Sequence, residues 1–168
     1  MTGRHIVEAI RPFLTDDVVF LIDGGNIGQW AHMVLADHYP SNWITCGASA
    51  VVGLGIPGAM AAKLAFPERR VLLLSGDGAF GFTTAEIESA ARQGLPFVAV
   101  VANDQAWGIV VSGQRQSFGE GGVIASEIGA IRYDEVARAF GANGVRAESI
   151  GGLRDAIVQG FASGLPTV

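Results

Sequence analysis

The sequence has a single cysteine, Cys46, so no internal disulfide can form, and no cluster of cysteine and histidine marks a zinc site. It lacks the long uncharged apolar run of a membrane span. It lacks an excess of basic residues: the formal net charge is −5, which argues against nucleic acid as the main partner. The opening MTGRHIVEAIRPFL carries charges through its apolar positions, unlike a secretory signal. The first strand-to-helix turn, DGGNIG, does not have the G-x-G-x-x-G spacing of a dinucleotide site. There is no internal repeat and no low-complexity tract. A reduced, cytoplasmic setting follows as the expectation.

What is present is glycine, 24 residues of it in 168, in a chain of the length of one domain. The most structured stretch is Val71 to Gly108, VLLLSGDGAFGFTTAEIESAARQGLPFVAVVANDQAWG. Two all-apolar runs, Val71–Leu74 and Phe97–Ala102, each end in a polar turn. Between them Ile87, Ala90 and Ala91 fall at helical spacing within Thr83–Gln93. This is a βαβ unit with two buried parallel strands.

Around that unit the periodicity predicts a helix over Gly3–Leu14, a strand over Val18–Ile22 and a helix over Gly28–His38. It predicts a short strand over Trp43–Thr45 and a helix from about Ile56 to Phe66. Ser112–Gly129 is polar and glycine-rich and reads as a mobile loop over the site. Helices follow over Tyr133–Phe140 and Ile150–Ser163, with a strand over Gly144–Ala147 between them. Leu165–Val168 reads as the entry to a last strand. The expected fold is α/β, a three-layer αβα arrangement around a mainly parallel sheet, lacking its last strand and spanning residues 1–168 as one domain of a larger enzyme.

Asp77, between Gly76 and Gly78, and Asp104, in the next polar turn, stand at the carboxyl ends of two strands, where open α/β sheets bind ligands. Free N–H groups at a helix start favour phosphate, and a phosphate beside a carboxylate needs a cation between them. Mg²⁺ suits that chemistry. Taken singly, Asp77 is a Gly-Asp-Gly turn and Asp104 a turn or cap residue. Together, at the ends of two strands joined by one helix, they mark a metal–phosphate site.

The GDG turn, the helix, the apolar strand and the second polar turn resemble the thiamine diphosphate motif. GASAVVGLGIPGAMAAKLAFPERRVLLLSGDGAFGF is similar to the corresponding segment of the acetolactate synthase-like 2-oxo acid decarboxylases and carboligases. The resemblance runs from about Asp23 to Gly108, with a weaker echo in YDEVARAFGANGVR. It implies that Asp77 and Asp104 bind Mg²⁺ through their side chains and Ala106 through its carbonyl. The family's usual residue at the second position is Asn, and a register one residue earlier would make Asn103 the ligand. Gly76, Gly78 and Ala79 would meet the diphosphate, Gly78 and Ala79 through backbone N–H groups. Asn26, Gly28 and Gln29 match the upstream loop at the same diphosphate, and Trp107 matches an aromatic-Gly pair on the pocket wall.

Val52 falls where the family places an apolar wedge under the cofactor; by its residue type alone it could equally be core packing. No catalytic residue is assigned within the chain, because the family's activating glutamate lies on a related pyrimidine-binding domain, on the same or another chain. The resemblance implies thiamine diphosphate and Mg²⁺ as cofactors, a small 2-oxo acid substrate and a homo-oligomer, with no nucleic acid or membrane partner. A natural subunit of a split decarboxylase and a non-catalytic binding module on the same fold are the alternatives.

Overall fold

The computed structural model describes all of residues 1–168. Four strands form one sheet: β1 (Val18–Asp23), β2 (Asn42–Thr45), β3 (Arg70–Gly76) and β4 (Val98–Ala102). Their order is β2-β1-β3-β4 and every pairing is parallel. Register puts Asp23 opposite Ser75 and Gly76 opposite Ala102, so β1, β3 and β4 end at nearly the same level.

The apolar runs are buried on both faces because each face carries its own helices. Phe20, Ile22, Leu72, Leu74, Val98 and Val100 pack against α1 (Gly3–Ile10), α2 (Gly25–Leu35) and α8 (Ile150–Ala162). The alternate residues Val19, Leu21, Val71, Leu73 and Ala99 pack against α3 (Gly55–Ala65), α5 (Glu86–Arg92) and α7 (Tyr133–Ala139). The period of two along each strand divides the core into these two layers. The three-layer αβα expectation holds. No helix is long and apolar enough to cross a membrane.

Three local expectations are corrected. Ser112–Phe118 is not loop: it belongs to α6 (Gly108–Phe118), held by burial of Val111 and by the Gln114 amide, which donates to Ile124 O at 3.0 Å. A separate short helix, α4 (Asp77–Gly81), starts at the GDG turn itself, ahead of α5, so the helix expected from Thr83 begins only at Glu86. Gly144–Ala147 forms no strand. Asn143 N donates to Pro166 O, Val168 N to Asn143 O and Val145 N to Val168 O; only the last involves Gly144–Ala147, so the pairing stays an isolated bridge at Asn143. Thr167 makes parallel bridges to Val98 and Asn143, placing the final residues beside β4 as the last-strand entry the sequence predicts.

Candidate functional site

The chain runs from β1 to β2 on one side and then crosses to β3 on the other, so the switch point of the sheet lies between β1 and β3. Ligands of open α/β sheets sit outside such a point, at the strand carboxyl ends. A cleft of about 320 Å³ lies there, lined by Gly24, Gly25 and Asn26 after β1, Gly76–Ala79 after β3, Asn103–Ile109 in part after β4, and Val52. The larger groove, about 540 Å³, runs along the outer edge of β4 and holds neither Asp77 nor Asp104.

Asp77 is 2% exposed. Its Oδ1 accepts the Gly78 N–H at 2.9 Å, and its Oδ2 is buried with no hydrogen-bond partner. Burial first, and then the negative charge of Asp104, push its carboxyl above the usual carboxylate range; the N–H groups of Gly78 and Gln105 pull the other way. The Tyr133 hydroxyl, brought in by α7, donates to Asp77 O at 3.0 Å and fixes the turn from behind. Tyr133 also meets Phe80 edge-on, with ring centroids 5.2 Å apart.

The loop after β4 sorts Asn103 from Asp104. The Asn103 side chain is spent within the protein: Nδ2 donates to Ile131 O at 2.9 Å and Oδ1 accepts Gln105 N–H at 3.2 Å. The Asp104 carboxylate instead stands over Gly108, where a Cβ would lie 2.5 Å from Asp104 Oδ2 and 3.1 Å from Asn26 Nδ2. Ala106 bridges Glu127 through its neighbours, with Trp107 N donating to Ser126 O and Ile128 N to Gln105 O. That pattern turns the carbonyl of Ala106 itself to the opposite side of the segment.

The cleft is built from close backbone approaches. Gly24 has φ +107°, and a Cβ there would meet Gly76 N at 3.0 Å. A Cβ on Gly78 would lie 2.7 Å from the Trp107 ring, so the indole lies directly against that glycine. Two helices of 11 residues, α2 and α6, begin at Gly25 and Gly108 in the cleft wall, and their unpaired N-terminal N–H groups favour an anion there. These, rather than a helix from Thr83, are the helix ends aimed at the site.

Of the residues singled out in the sequence, Asn26, Val52, Gly76, Asp77, Gly78, Ala79, Asp104, Ala106 and Trp107 line this one cleft. Gly28 and Gln29 do not: Gly28 is buried against Ile22, and Gln29 is exposed on α2. Asp23 and Tyr133 were not singled out. Asp23 opens the DGGN turn, which was a legible signal; Tyr133 reaches Asp77 across 56 positions, which was not.

A buried carboxylate oxygen without a donor, facing a second carboxylate, calls for a cation, and the hard oxygen donors fit Mg²⁺. The two acids do not form part of a cluster of three or more acidic, histidine or cysteine side chains.

Residues 23–168 match the family model described as thiamine pyrophosphate enzyme, C-terminal TPP binding domain. The acetolactate synthase large subunit of Mycobacterium tuberculosis is 38% identical over 164 residues, covering 98% of this chain and 30% of that protein. The 2-hydroxyacyl-CoA lyase 2 of Caenorhabditis elegans is 32% identical over 140 residues, 83% of this chain and 22% of the relative. An acetolactate synthase of Bacillus subtilis is 29% identical over 164 residues, 98% of this chain and 28% of the relative. The chain therefore spans less than a third of the length of these relatives.

Proposed function

The chain belongs to the thiamine pyrophosphate enzyme family, as its C-terminal cofactor-binding domain, and from that premise we propose that it holds the magnesium–diphosphate end of thiamine diphosphate. The whole enzyme would decarboxylate a small 2-oxo acid, ligate the product to a second carbonyl, or do both. The observation that carries this reading is the buried, partnerless Asp77 Oδ2 facing Asp104.

Asp77 and Asp104 would hold Mg²⁺ with their carboxylates and Ala106 with its carbonyl. Gly76, Gly78, Ala79 and Asn26 would line the diphosphate, with Gly24 and Gly25 supplying the backbone beside Asn26 in place of Gly28 and Gln29. The helix starts at Gly25 and Gly108 would add positive potential without a mobile side chain. Val52 would bear on the organic part of the cofactor, and Trp107, packed edge-on to Phe82 with centroids 5.5 Å apart, would close the wall against water. When bound, thiamine diphosphate supplies the carbon that adds to the substrate carbonyl and takes up the electrons left by departing carbon dioxide.

Residues 1–168 act as one domain in this reading, and a pyrimidine-binding domain on the same or another chain completes the site in a homo-oligomer. The setting is cytoplasmic, with Cys46 as a free thiol. Calorimetry of thiamine diphosphate binding by the full-length protein, with and without Mg²⁺, tests the assignment. Asp77→Ala should abolish the Mg²⁺-dependent binding. Unchanged affinity in that variant would remove the metal site from the proposal.

A further inference from the structure

Asp23 ends β1 and is 2% exposed. Its carboxylate points across the sheet end to a turn some thirty positions later. Oδ2 accepts Gly55 N–H at 2.6 Å and Gly53 N–H at 3.1 Å, with Oδ1 at 3.3 Å from Gly53 N. Burial pushes this carboxyl upward, and the N–H groups of Gly55, Gly53 and Gly24 counter it.

The turn is shaped to receive that carboxylate. Gly53 has φ +92°, and a Cβ on it would meet Phe82 Cβ at 3.0 Å. A Cβ on Gly55 would lie 2.9 Å from Asp23 Oδ2 and 2.9 Å from Leu73 Cδ1. Only glycine lets the backbone come this near. At the other end of the same residue, Thr83 Oγ1 donates to Gly53 O at 3.3 Å. Gly53 is thus gripped at its N–H by the end of β1 and at its carbonyl by the segment after α4. The residue immediately before it is Val52, the apolar side chain of the cleft wall.

We propose that Asp23 is a positioning residue for the cofactor: by holding the N–H groups of Gly53 and Gly55 it fixes how far Val52 projects into the cleft. The inference rests on the reading of Val52 as the cofactor's apolar support. Asp23 itself does not line the cleft that holds Asp77 and Asp104. Its replacement is expected to act on the support of the cofactor's organic part more than on its anchorage. An asparagine can put its one accepting oxygen where Oδ2 stands, but it loses the charge behind both bonds and turns an NH₂ donor toward Gly53 N–H where Oδ1 stood, so the hold on Gly53 weakens.

The test uses the full-length protein loaded with Mg²⁺ and thiamine diphosphate. Deuterium exchange of the thiazolium C2 proton, stopped in acid and read by proton NMR, reports how readily the bound cofactor loses that proton, without turnover. Val52→Ala should slow the exchange about tenfold, as expected for a misplaced reacting group. Asp23→Asn should also slow it about tenfold, the equivalent of one charge-assisted hydrogen bond, while affinity for thiamine diphosphate stays within about threefold of the parent. In a Val52→Ala background the added loss from Asp23→Asn should shrink below about threefold, because the two act through one contact.

Parental exchange in Asp23→Asn, or losses that simply multiply in the double variant, would overturn the proposal. Parental exchange in Val52→Ala would instead overturn the reading of Val52 itself, so the two failures are distinct. Should Asp23→Asn not fold, Thr83→Val decides the matter by releasing the other grip on Gly53. A slowing of about threefold that disappears with Val52→Ala supports the role of the turn, and parental exchange refutes it.

Discussion

Asp77→Asn should have opposite effects on the empty protein and on the loaded one. In the metal-free protein Asp77 is a buried carboxylate with one partnerless oxygen, beside a second carboxylate. At an effective dielectric of about 20 two unit charges 4 Å apart repel by about 4 kcal/mol; the exposure of Asp104 reduces this to on the order of 1–2 kcal/mol. The amide keeps an acceptor for Gly78 N–H, gains a donor toward Asp104 and loses the charge. Metal-free Asp77→Asn should therefore unfold later than the parent, by roughly 2–6 °C for this domain. The sign follows from the raised pKa of Asp77: its proton-linked stability is complete below the unfolded carboxylate value and is lost as pH rises through the folded value, so the advantage of the amide grows toward alkaline pH. With Mg²⁺ and thiamine diphosphate the order reverses. The variant should bind at least about 100-fold more weakly, a loss of about 2.8 kcal/mol. Thermal unfolding of the full-length protein with and without Mg²⁺, alongside calorimetric titration, measures both halves. A metal-free variant less stable than the parent, together with undiminished cofactor affinity, would refute the view that these acids face each other to hold a cation.

Three further substitutions probe the supports of the site. Gly78→Ala places a methyl group 2.7 Å from the Trp107 ring, and should cost about 1–3 kcal/mol in thermal unfolding and change Trp107 fluorescence as the indole is displaced. Tyr133→Phe removes the donor to Asp77 O; it should cost about 1 kcal/mol of stability and lower cofactor affinity a few-fold, read by the same calorimetry. Arg132 and Arg138 hold the Asp134 carboxyl down at about 2. That depressed value contributes stability present above the unfolded carboxylate pKa and lost as pH falls toward 2; with half-exposed arginines it amounts to on the order of 1–2 kcal/mol. Asp134→Asn should therefore be less stable than the parent at pH 6 and converge on it near pH 2, measured by denaturant unfolding across that range.

Much of the fold was legible because its signals are local. Uninterrupted apolar runs such as Val71–Leu74 mark strands buried on both faces, and the GDG and NDQ turns mark where they stop. Helices hidden in polar composition were not legible: α6 depends on Gln114 reaching Ile124 and on burial of Val111, neither of which leaves a periodic trace. The strand expected over Gly144–Ala147 fails for the converse reason, since strand-forming residues need a partner and this stretch finds a single backbone bond, Val145 N to Val168 O.

The sequence by itself determined the parallel order of events along the chain, two acids at adjacent strand ends, and a motif set specific enough to indicate the family. Strand ends are a consequence of where apolar residues give way to glycine and aspartate, and that boundary is written residue by residue. Only the tertiary structure decided which carboxylate oxygen is left without a donor and that Asn103 is occupied while Asp104 is free to face Asp77. It alone showed that Gly28 and Gln29 lie outside the cleft and that Asp23 reaches Gly53 and Gly55. The decisive contacts, Asn103 to Ile131, Asp77 beside Asp104 and Asp23 to Gly53 and Gly55, join segments 27 to 32 positions apart, fixed by sheet register and helix packing, and no stretch of chain short enough to carry a pattern contains both partners.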